Sequence, residues 1–305
     1  MKRFLIQILI FCAIFFVVDK LFYFFMYKSA SLEKDKRLEQ VINGEINKDI
    51  IILGSSRGAR DVIACQIEDS LNRSAFNLSY PGSDVEFHEF VLRSLLKFNK
   101  APKVVMLVVD YDAEFYPSTS LRFRLDRMYP LVKYDYIYKE MIAKGEINPY
   151  LSRILVLSRI NNANLSLTPK NFTPMDSIKG CGSMPISFQK KGGNFEFSEN
   201  RDYDANKELP YKLESFRKIQ ELCSAHGIKL YLLYGPNFGN YSPSFEKRVK
   251  ELASPANSFY AYDTLNPVYK DRSYYFDVTH LQTKGAEIYT NELINLLRNE
   301  PAIRN

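Results

Sequence analysis

The sequence predicts a three-layer α/β/α fold, in which helices cover both faces of a parallel sheet. Short apolar runs rich in β-branched residues alternate with segments of helical period, and this alternation is typical of parallel sheets. An apolar stretch at the N-terminus predicts a transmembrane helix. A stretch at about 111–206 lacks the alternation and predicts a large insertion. The 305 residues are enough for a membrane segment and one large domain.

The N-terminal segment has the length and composition of a membrane anchor. A Lys-Arg pair precedes Phe4–Val18, and the apolar run resumes at Leu21–Tyr27 after an Asp-Lys pair. Because about 20 mostly apolar residues cross a bilayer, residues 1–28 are predicted to be an uncleaved anchor. Basic residues favour the cytoplasmic side, so we expect a single pass of the bacterial cytoplasmic membrane, with the N-terminus inside and the main domain outside. A cleaved signal peptide is the alternative, with Ser29-Ala30-Ser31 as a weak cleavage site.

The rest of the chain divides into a polar stretch and a domain. Residues 29–47 are charged and predict a membrane-proximal stalk, and residues 48–300 are the predicted α/β domain. Its strands are predicted from short apolar runs of the kind that is buried on both faces of a sheet. The predicted strands are Asp49–Leu53, Ala75–Leu78, Lys103–Val109, Ile228–Leu233 and Phe259–Tyr262.

The predicted helices carry capping residues and apolar faces. Ser83-Asp84 can accept hydrogen bonds from the first turn of a helix, and Gly227 suits the left-handed position that ends one. The insertion is rich in Tyr, Asn, Ser and Pro, and we expect it to cover the carboxyl edge of the sheet, where open α/β sheets bind ligands. The predicted helices are Arg60–Leu71, Ser83–Leu96, Tyr134–Ala143, a segment from Leu213 to His226, and Gly285–Leu297.

Charge and cysteine content exclude several classes of function. The net charge of +6 is spread as mixed sign along the chain, and no basic block predicts binding to nucleic acid. Cys12 lies in the apolar segment, and Cys65, Cys181 and Cys223 form no C-x-x-C pair, so neither a metal site nor a cofactor is expected. We expect buried free thiols, with one disulfide in an oxidising compartment as the alternative.

The first chemical motif is a serine-containing turn directly after the first predicted strand. Gly54-Ser55-Ser56 lies between this strand and a predicted helix, which places a hydroxyl and the N–H groups of the helix start at the sheet edge. These groups can attack a carbonyl and bind the resulting oxyanion. A serine that only caps the helix is the alternative interpretation.

The second motif is Asp277-Val278-Thr279-His280, before the last helix. The three-residue spacing lets the carboxylate accept one imidazole N–H and leaves the other ring nitrogen free as a base. The chain has three histidines. His226 stands at a helix end, and His88 lies within a predicted helix with no carboxylate arrangement that looks catalytic, so His280 is the predicted base. A carboxylate that only caps the last helix is the alternative.

Together these motifs resemble the SGNH (GDSL-like) hydrolase superfamily, whose fold is of the flavodoxin-like type. The resemblance is to its membrane-anchored extracytoplasmic branch, which includes the D-alanine transfer protein of teichoic-acid modification and the polysaccharide O-acetylation proteins of alginate-type systems. It implies that Ser56 is the nucleophile and that His280 and Asp277 complete a triad. It also implies that the N–H groups of Ser56 and Gly82 bind the oxyanion.

The third block of the family pattern is absent. The family has an Asn after the third strand, whereas this chain has Asp110, and an ionised Asp cannot donate a hydrogen bond. Asn237, after a later strand, is a candidate substitute, although a turn residue is the favoured interpretation.

The expected function is therefore that of a serine esterase or acyltransferase that acts on acyl groups of a cell-surface glycan through an acyl-enzyme. The alternative is a non-catalytic assembly factor for polysaccharide modification, which the missing Asn favours. Expected partners are the membrane, a glycan or acylated polymer, and a multi-pass membrane acyltransferase. Four tyrosines are candidate sugar-stacking residues: Tyr129, Tyr134, Tyr136 and Tyr138.

Overall fold

The computed structural model describes residues 1–110, 112–166, 173–188, 195–199 and 202–304. It divides into two compact units. Residues 1–36 and 124–171 form the first, called here the N-terminal unit, and residues 37–123 and 172–305 form the second, called the sheet unit. The predicted boundaries of anchor, stalk and domain stay predictions.

The described residues form helices, strands and short 3₁₀ turns. The helices are α1 (Lys2–Leu32), α2 (Arg37–Ile42), α3 (Ser56–Asp61), α4 (Ala64–Leu71), α5 (Val85–Phe98), α6 (Leu125–Met128), α7 (Asp135–Ala143), α8 (Leu151–Ile154), α9 (Asn162–Leu165), α10 (Pro210–Ala225), α11 (Pro243–Leu252), α12 (Thr283–Arg298) and α13 (Pro301–Arg304). The strands are β1 (Ile50–Leu53), β2 (Ala75–Asn77), β3 (Val104–Val108), β4 (Lys229–Tyr234) and β5 (Ser258–Ala261). Short 3₁₀ turns are Asp112–Glu114, Tyr129–Leu131, Leu157–Arg159, Pro174–Asp176, Ala205–Lys207, Pro267–Lys270 and Arg272–Tyr274.

Helix α1 is long and apolar enough to span a membrane. It has 31 residues and reaches a mean hydropathy of 2.4 over its most apolar window, whose side chains are mostly exposed. The exposed apolar side chains distinguish α1 from a core helix, which would bury them.

The sheet unit is built on a parallel five-stranded sheet of order β2-β1-β3-β4-β5. All the strand pairs are parallel, so the predicted α/β class and parallel sheet are confirmed. The chain places β2 on one side of β1 and β3 on the other. A crevice therefore opens at the carboxyl ends of β1 and β3, where such sheets bind ligands.

The core lies against the strands, of which β1, β2 and β3 are buried on both faces, whereas β5 at the edge is only partly buried. Alternate side chains such as Ile50, Ile52 and Met106 form one apolar cluster with Ile67 of α4 and Leu293 of α12. Helix α12 packs against α3 and α4, and α10 packs against α5. The near-continuous apolar sequence of β1 and β3 follows from this burial.

The predicted helix Arg60–Leu71 is interrupted, and this prediction was wrong in its bounds. Helix α3 begins at Ser56 and ends at Asp61, Val62 is extended, and α4 begins at Ala64. The Ser183 hydroxyl enters the break, where it donates to Val62 O at 3.0 Å and accepts from Ala64 N at 2.8 Å. The backbone groups freed by the break are thus satisfied by a residue far away in the sequence.

The helix ends of α5 and α10 agree with the sequence. Asp84 caps α5 by accepting the Phe87 N–H. Gly227 takes a φ of +66° after α10, which favours glycine, and the ring of His226 bonds to Leu222 O. The predicted structural role of His226 agrees with this contact. Helix α7 likewise lies where the insertion was predicted to be helical.

The expectation of free thiols was wrong for two cysteines. Cys65 at the start of α4 and Cys181 form a disulfide across 116 residues, whereas Cys12 and Cys223 are free. Neighbours of Cys181 contact α3, since Met184 N donates to Ala59 O at 2.7 Å. Spacing could not reveal this pair, because the fold alone brings the two residues within 5.4 Å, Cα to Cα.

Replacing both Cys65 and Cys181 with Ser is expected to lower the free energy of unfolding by about 2–5 kcal/mol, because the disulfide restricts a long loop in the unfolded chain. Thermal and denaturant unfolding of the full chain in detergent measures the change. Cys12→Ser, at an exposed position of α1, is the matched control and should leave stability unchanged. Equal stability of the double variant and the parent would contradict the prediction.

Candidate active site

The nucleophile candidate lies at the carboxyl end of β1, beside the crevice. Gly54 turns the chain there with a φ of +151°, and a Cβ at this position would stand 3.0 Å from Val108 Cβ of β3. Glycine is therefore required both by the backbone conformation and by the close approach of β3. The turn directs the following two serines out of the sheet.

The two serines divide the roles that the sequence left open. Ser55 is the N-cap of α3, and its hydroxyl accepts the Arg57 N–H at 3.4 Å. Ser56 is the first residue of the helix and is half-buried. Its hydroxyl is 2.8 Å from His280 Nε2. The capping interpretation thus applies to Ser55, and the Ser56 side chain faces the imidazole.

A tight hairpin presents the histidine and its carboxylate. Tyr275 and Leu281 form an antiparallel bridge, and Phe276 N donates to His280 O at 2.8 Å. Inside the hairpin, both carboxylate oxygens of Asp277 are 2.9 Å from His280 Nδ1. The backbone N–H of His280 donates to the same carboxylate at 3.0 Å, so the ring orientation is fixed from two sides.

The three predicted triad side chains therefore form one hydrogen-bonded chain. Burial alone would raise the pKa of Asp277, but hydrogen bonds from His280 and Thr279 lower it well below its ordinary value. An ionised Asp277 accepts the Nδ1–H, which leaves Nε2 to accept the Ser56 hydroxyl proton. This is the arrangement that activates serine as a nucleophile.

The triad opens into a cleft of about 710 Å³, within the size range of ligand pockets. Gly82, Asp110 and Asn237 line it together with Ser56 and His280. Two parts of the predicted insertion also reach it, through the residues Ala113, Ser120, Leu121, Ser198 and Glu199. The four candidate sugar-stacking tyrosines belong to the N-terminal unit, and their role stays a prediction.

The two further oxyanion candidates occupy different walls of the cleft. Gly82 follows β2 and has a left-handed φ of +74°. Asn237 follows β4 and is 9% exposed, and its Oδ1 has no hydrogen-bond partner among the described residues. Asn237 therefore lies in the wall of the cleft, and its assignment as a turn residue or as an oxyanion donor stays a prediction.

Two buried charged residues of α3 hold the walls of the cleft. The Arg57 guanidinium donates to Gly235 O and Pro236 O, at 2.5 and 3.0 Å, and so fixes the loop that carries Asn237. Asp61 accepts the N–H of Leu281 at 3.0 Å, directly after the histidine. Sequence reasoning missed both residues, since nothing in the sequence marks Arg57 or Asp61 as buried.

Sequence reasoning also missed a buried acidic network beneath the serine turn. Glu114 Oε2 accepts the Asp110 N–H at 2.8 Å, and its other oxygen is 3.9 Å from His88 Nδ1. His88 Nε2 is 2.8 Å from the hydroxyl of Ser83, which also contacts Gly54 O. His88 thus has a buried carboxylate neighbour, because the turn after β3 brings Glu114 to α5.

Burial controls the protonation of this network. It lowers the pKa of His88 to about 3 and raises the pKa of Glu114 to about 8, with the Asp110 carboxyl adding to the rise. It also raises the pKa of Asp110, although the Arg57 guanidinium, 3.8 Å away, opposes the rise. The network therefore favours neutral groups, unlike the ionised Asp277.

No protein-family model matches the chain, and a search of curated proteins found no match.

Glu114→Gln is expected to stabilise the protein more at pH 8 than at pH 5. The folded-state pKa of Glu114 is about 8, above the ordinary 4.5, so the unfolded chain releases this proton first and stability falls as pH rises through this window. The variant has no such loss, and one unit of pKa difference corresponds to about 1.4 kcal/mol. Urea unfolding at both pH values measures the difference. Glu287→Gln, at an exposed position of α12, is the control, and a stability difference independent of pH would contradict the prediction.

Proposed function

We propose that this protein is a membrane-anchored serine enzyme of the SGNH type, which transfers or hydrolyses acyl groups outside the cytoplasm. The observation that carries the proposal is the hydrogen-bonded chain from Ser56 Oγ through His280 to Asp277, at the mouth of a cleft beside the carboxyl ends of parallel strands. We also propose that the helices pack as two layers around the sheet, as in that superfamily. The packing of α12 on α3 and α4, and of α10 on α5, supports this arrangement.

In the proposed first step, His280 Nε2 takes the Ser56 proton while Ser56 Oγ attacks the acyl carbonyl. Asp277 stabilises the imidazolium that forms. His280 then gives the proton to the departing alcohol, which leaves an ester on Ser56. In the second step the imidazole activates either water or an acceptor hydroxyl, which takes the acyl group and frees the serine.

The proposed oxyanion donors come from three loops. The Ser56 N–H belongs to the first residue of α3 and so has no acceptor within the helix. Gly82 and Asn237 face the same cleft, and the Asn237 amide supplies the side-chain donor that this chain lacks at the third block of the family pattern. Asp110 lies where the family has its Asn, and burial favours its neutral form.

The proposed compartment and partners follow from three features of the chain. A Lys-Arg pair precedes the apolar helix α1, which favours a cytoplasmic N-terminus. The Cys65–Cys181 disulfide is typical of proteins outside the cytoplasm. Polar side chains of the cleft, such as those of Ser120 and Asn237, suit the hydroxyl groups of a cell-surface glycan. A multi-pass membrane acyltransferase is the proposed source of acyl groups.

A fluorophosphonate probe, which forms a covalent bond with an activated serine and releases fluoride, tests the nucleophile. We expect the purified full chain to be labelled, Ser56→Ala to lose labelling, and Asp277→Asn to react on the order of 10³–10⁴ times more slowly because the imidazole loses its orientation. Ser120→Ala removes an exposed serine of the same cleft and should label normally. Labelling that survives in Ser56→Ala would refute the assignment, and a parent chain that never labels would favour the non-catalytic assembly factor.

Asn237→Ala is expected to lower kcat for hydrolysis of p-nitrophenyl acetate by roughly 100-fold, with a small change in KM, because an oxyanion donor acts mainly in the transition state. Asn240→Ala changes an exposed residue of the same loop and serves as the control. A turn residue that only shapes the loop would change KM and stability together. An unchanged kcat in Asn237→Ala would remove this residue from the proposed oxyanion hole.

A further inference from the structure

A segment of the N-terminal unit, residues 150–157, is hydrogen-bonded to the middle of α1. The Asp19 carboxylate accepts the backbone N–H groups of Val156 and Leu157, at 2.8 and 2.9 Å. Lys20 Nζ donates to Ile154 O at 2.6 Å. Asp19 is only 1% exposed, so the segment replaces solvent around this carboxylate.

The position of Asp19 along α1 sets the depth of the segment in a bilayer. Sixteen residues separate Arg3 from Asp19, which is about 24 Å of helix. The hydrocarbon core is about 30 Å thick, so Asp19 lies in its outer part when Arg3 is at the cytoplasmic boundary. A carboxylate at that depth is costly unless it is hydrogen-bonded, and the N–H groups of Val156 and Leu157 satisfy it.

Further contacts show that the insertion runs along α1 from its outer end toward the apolar part. Arg127 is 3.3 Å from the Glu33 carboxylate just beyond α1. Asn164 Nδ2 donates to the Ser29 hydroxyl at 3.0 Å, and both residues are buried. The contact at Asp19 is the third along the same helix. It is the one nearest to the uninterrupted apolar run that ends at Val18.

Most outward side chains of the segment are apolar, although they are exposed, and Arg153 is its one exposed charged residue. Leu151 is 52%, Ile154 62% and Leu157 40% exposed, and they recur every third residue. Tyr150, at the start of the segment, is 76% exposed, and tyrosine is enriched at membrane interfaces. This segment is fixed to a helix that is apolar enough to span a membrane. Lipid acyl chains would therefore remove its exposed apolar side chains from water.

We propose that residues 150–157 insert into the outer leaflet of the bilayer, with Leu151, Ile154 and Leu157 among the lipid acyl chains. The proposal rests on the membrane anchoring proposed above, and it adds a second membrane contact from the middle of the chain. The hydrogen bonds to Asp19 hold the segment at the required depth. This contact would hold the part of the insertion in the N-terminal unit at the membrane surface. The acyl groups of a membrane-embedded acyltransferase would be delivered at the same surface.

The chain has no tryptophan, so a single introduced Trp reports on one position. The test uses three full-length variants in lipid nanodiscs: Ile154→Trp in the segment, Phe11→Trp in α1, and Leu265→Trp at an 88% exposed position of the sheet unit. The nanodiscs contain phosphatidylcholine with bromine either near the carboxyl end or near the methyl end of the acyl chains. Leu151→Trp repeats the test if Ile154→Trp folds poorly.

We expect the Ile154→Trp emission to fall about twofold with bromine near the carboxyl end, since interfacial segments lie roughly 5–10 Å deep. Phe11→Trp should be quenched more by bromine near the methyl end, and Leu265→Trp by neither. If Phe11→Trp is quenched but Ile154→Trp behaves like Leu265→Trp, the inserted segment is refuted while the anchor stands. Ile154→Trp shielded from both bromine and aqueous acrylamide would place protein over the segment, and would also refute it. If Phe11→Trp is not quenched, the membrane anchor is refuted, and the membrane contact of residues 150–157 is refuted with it.

Discussion

The hydrogen bonds made to the short helix α3 are the constraint on which the cleft depends. The Asn77 amide, at the end of β2, donates to Gly58 O and Val62 O, and Met184 of the disulfide-linked loop donates to Ala59 O. Arg57 holds the loop after β4, and Asp61 holds the residue after the histidine. Because α3 also begins with Ser56, the same bonds set the positions of the Ser56 hydroxyl, the imidazole and the cleft walls.

The carboxyl groups around the serine turn differ in pKa because their surroundings differ. Asp277 is half-buried and receives hydrogen bonds from His280 and Thr279, which lower its pKa. Asp110 and Glu114 are fully buried beneath the turn, and burial raises their pKa values. One acid is thus kept ionised to orient the imidazole, while the buried acids favour their neutral forms. Pairs of acids divided in this way are typical of sites that run acid–base chemistry.

The N-terminal unit combines an exposed apolar helix with a few buried polar groups. Helix α1 exposes most of its apolar side chains, yet Asp19 and Ser29 are buried by hydrogen-bonded parts of the insertion. These polar residues interrupt the apolar sequence of α1, and the sequence alone makes them look like defects in it. The contacts give them a different role, since backbone N–H groups and an amide from residues 156–164 bind to them.

The sequence by itself determined the parallel α/β class, the apolar helix and most element positions, because apolar periodicity and capping residues are local signals. It also singled out the Ser55-Ser56 turn, Asp277 and His280, since a turn after a buried strand and a three-residue carboxylate–imidazole spacing are local as well. The choice of Ser56 over Ser55 came from the family resemblance. Only the tertiary structure decided the break between α3 and α4, the Cys65–Cys181 disulfide and the buried Asp110–Glu114–His88 network. Each of these depends on residues far apart in the chain, whose contact is set by packing rather than by any pattern along the sequence.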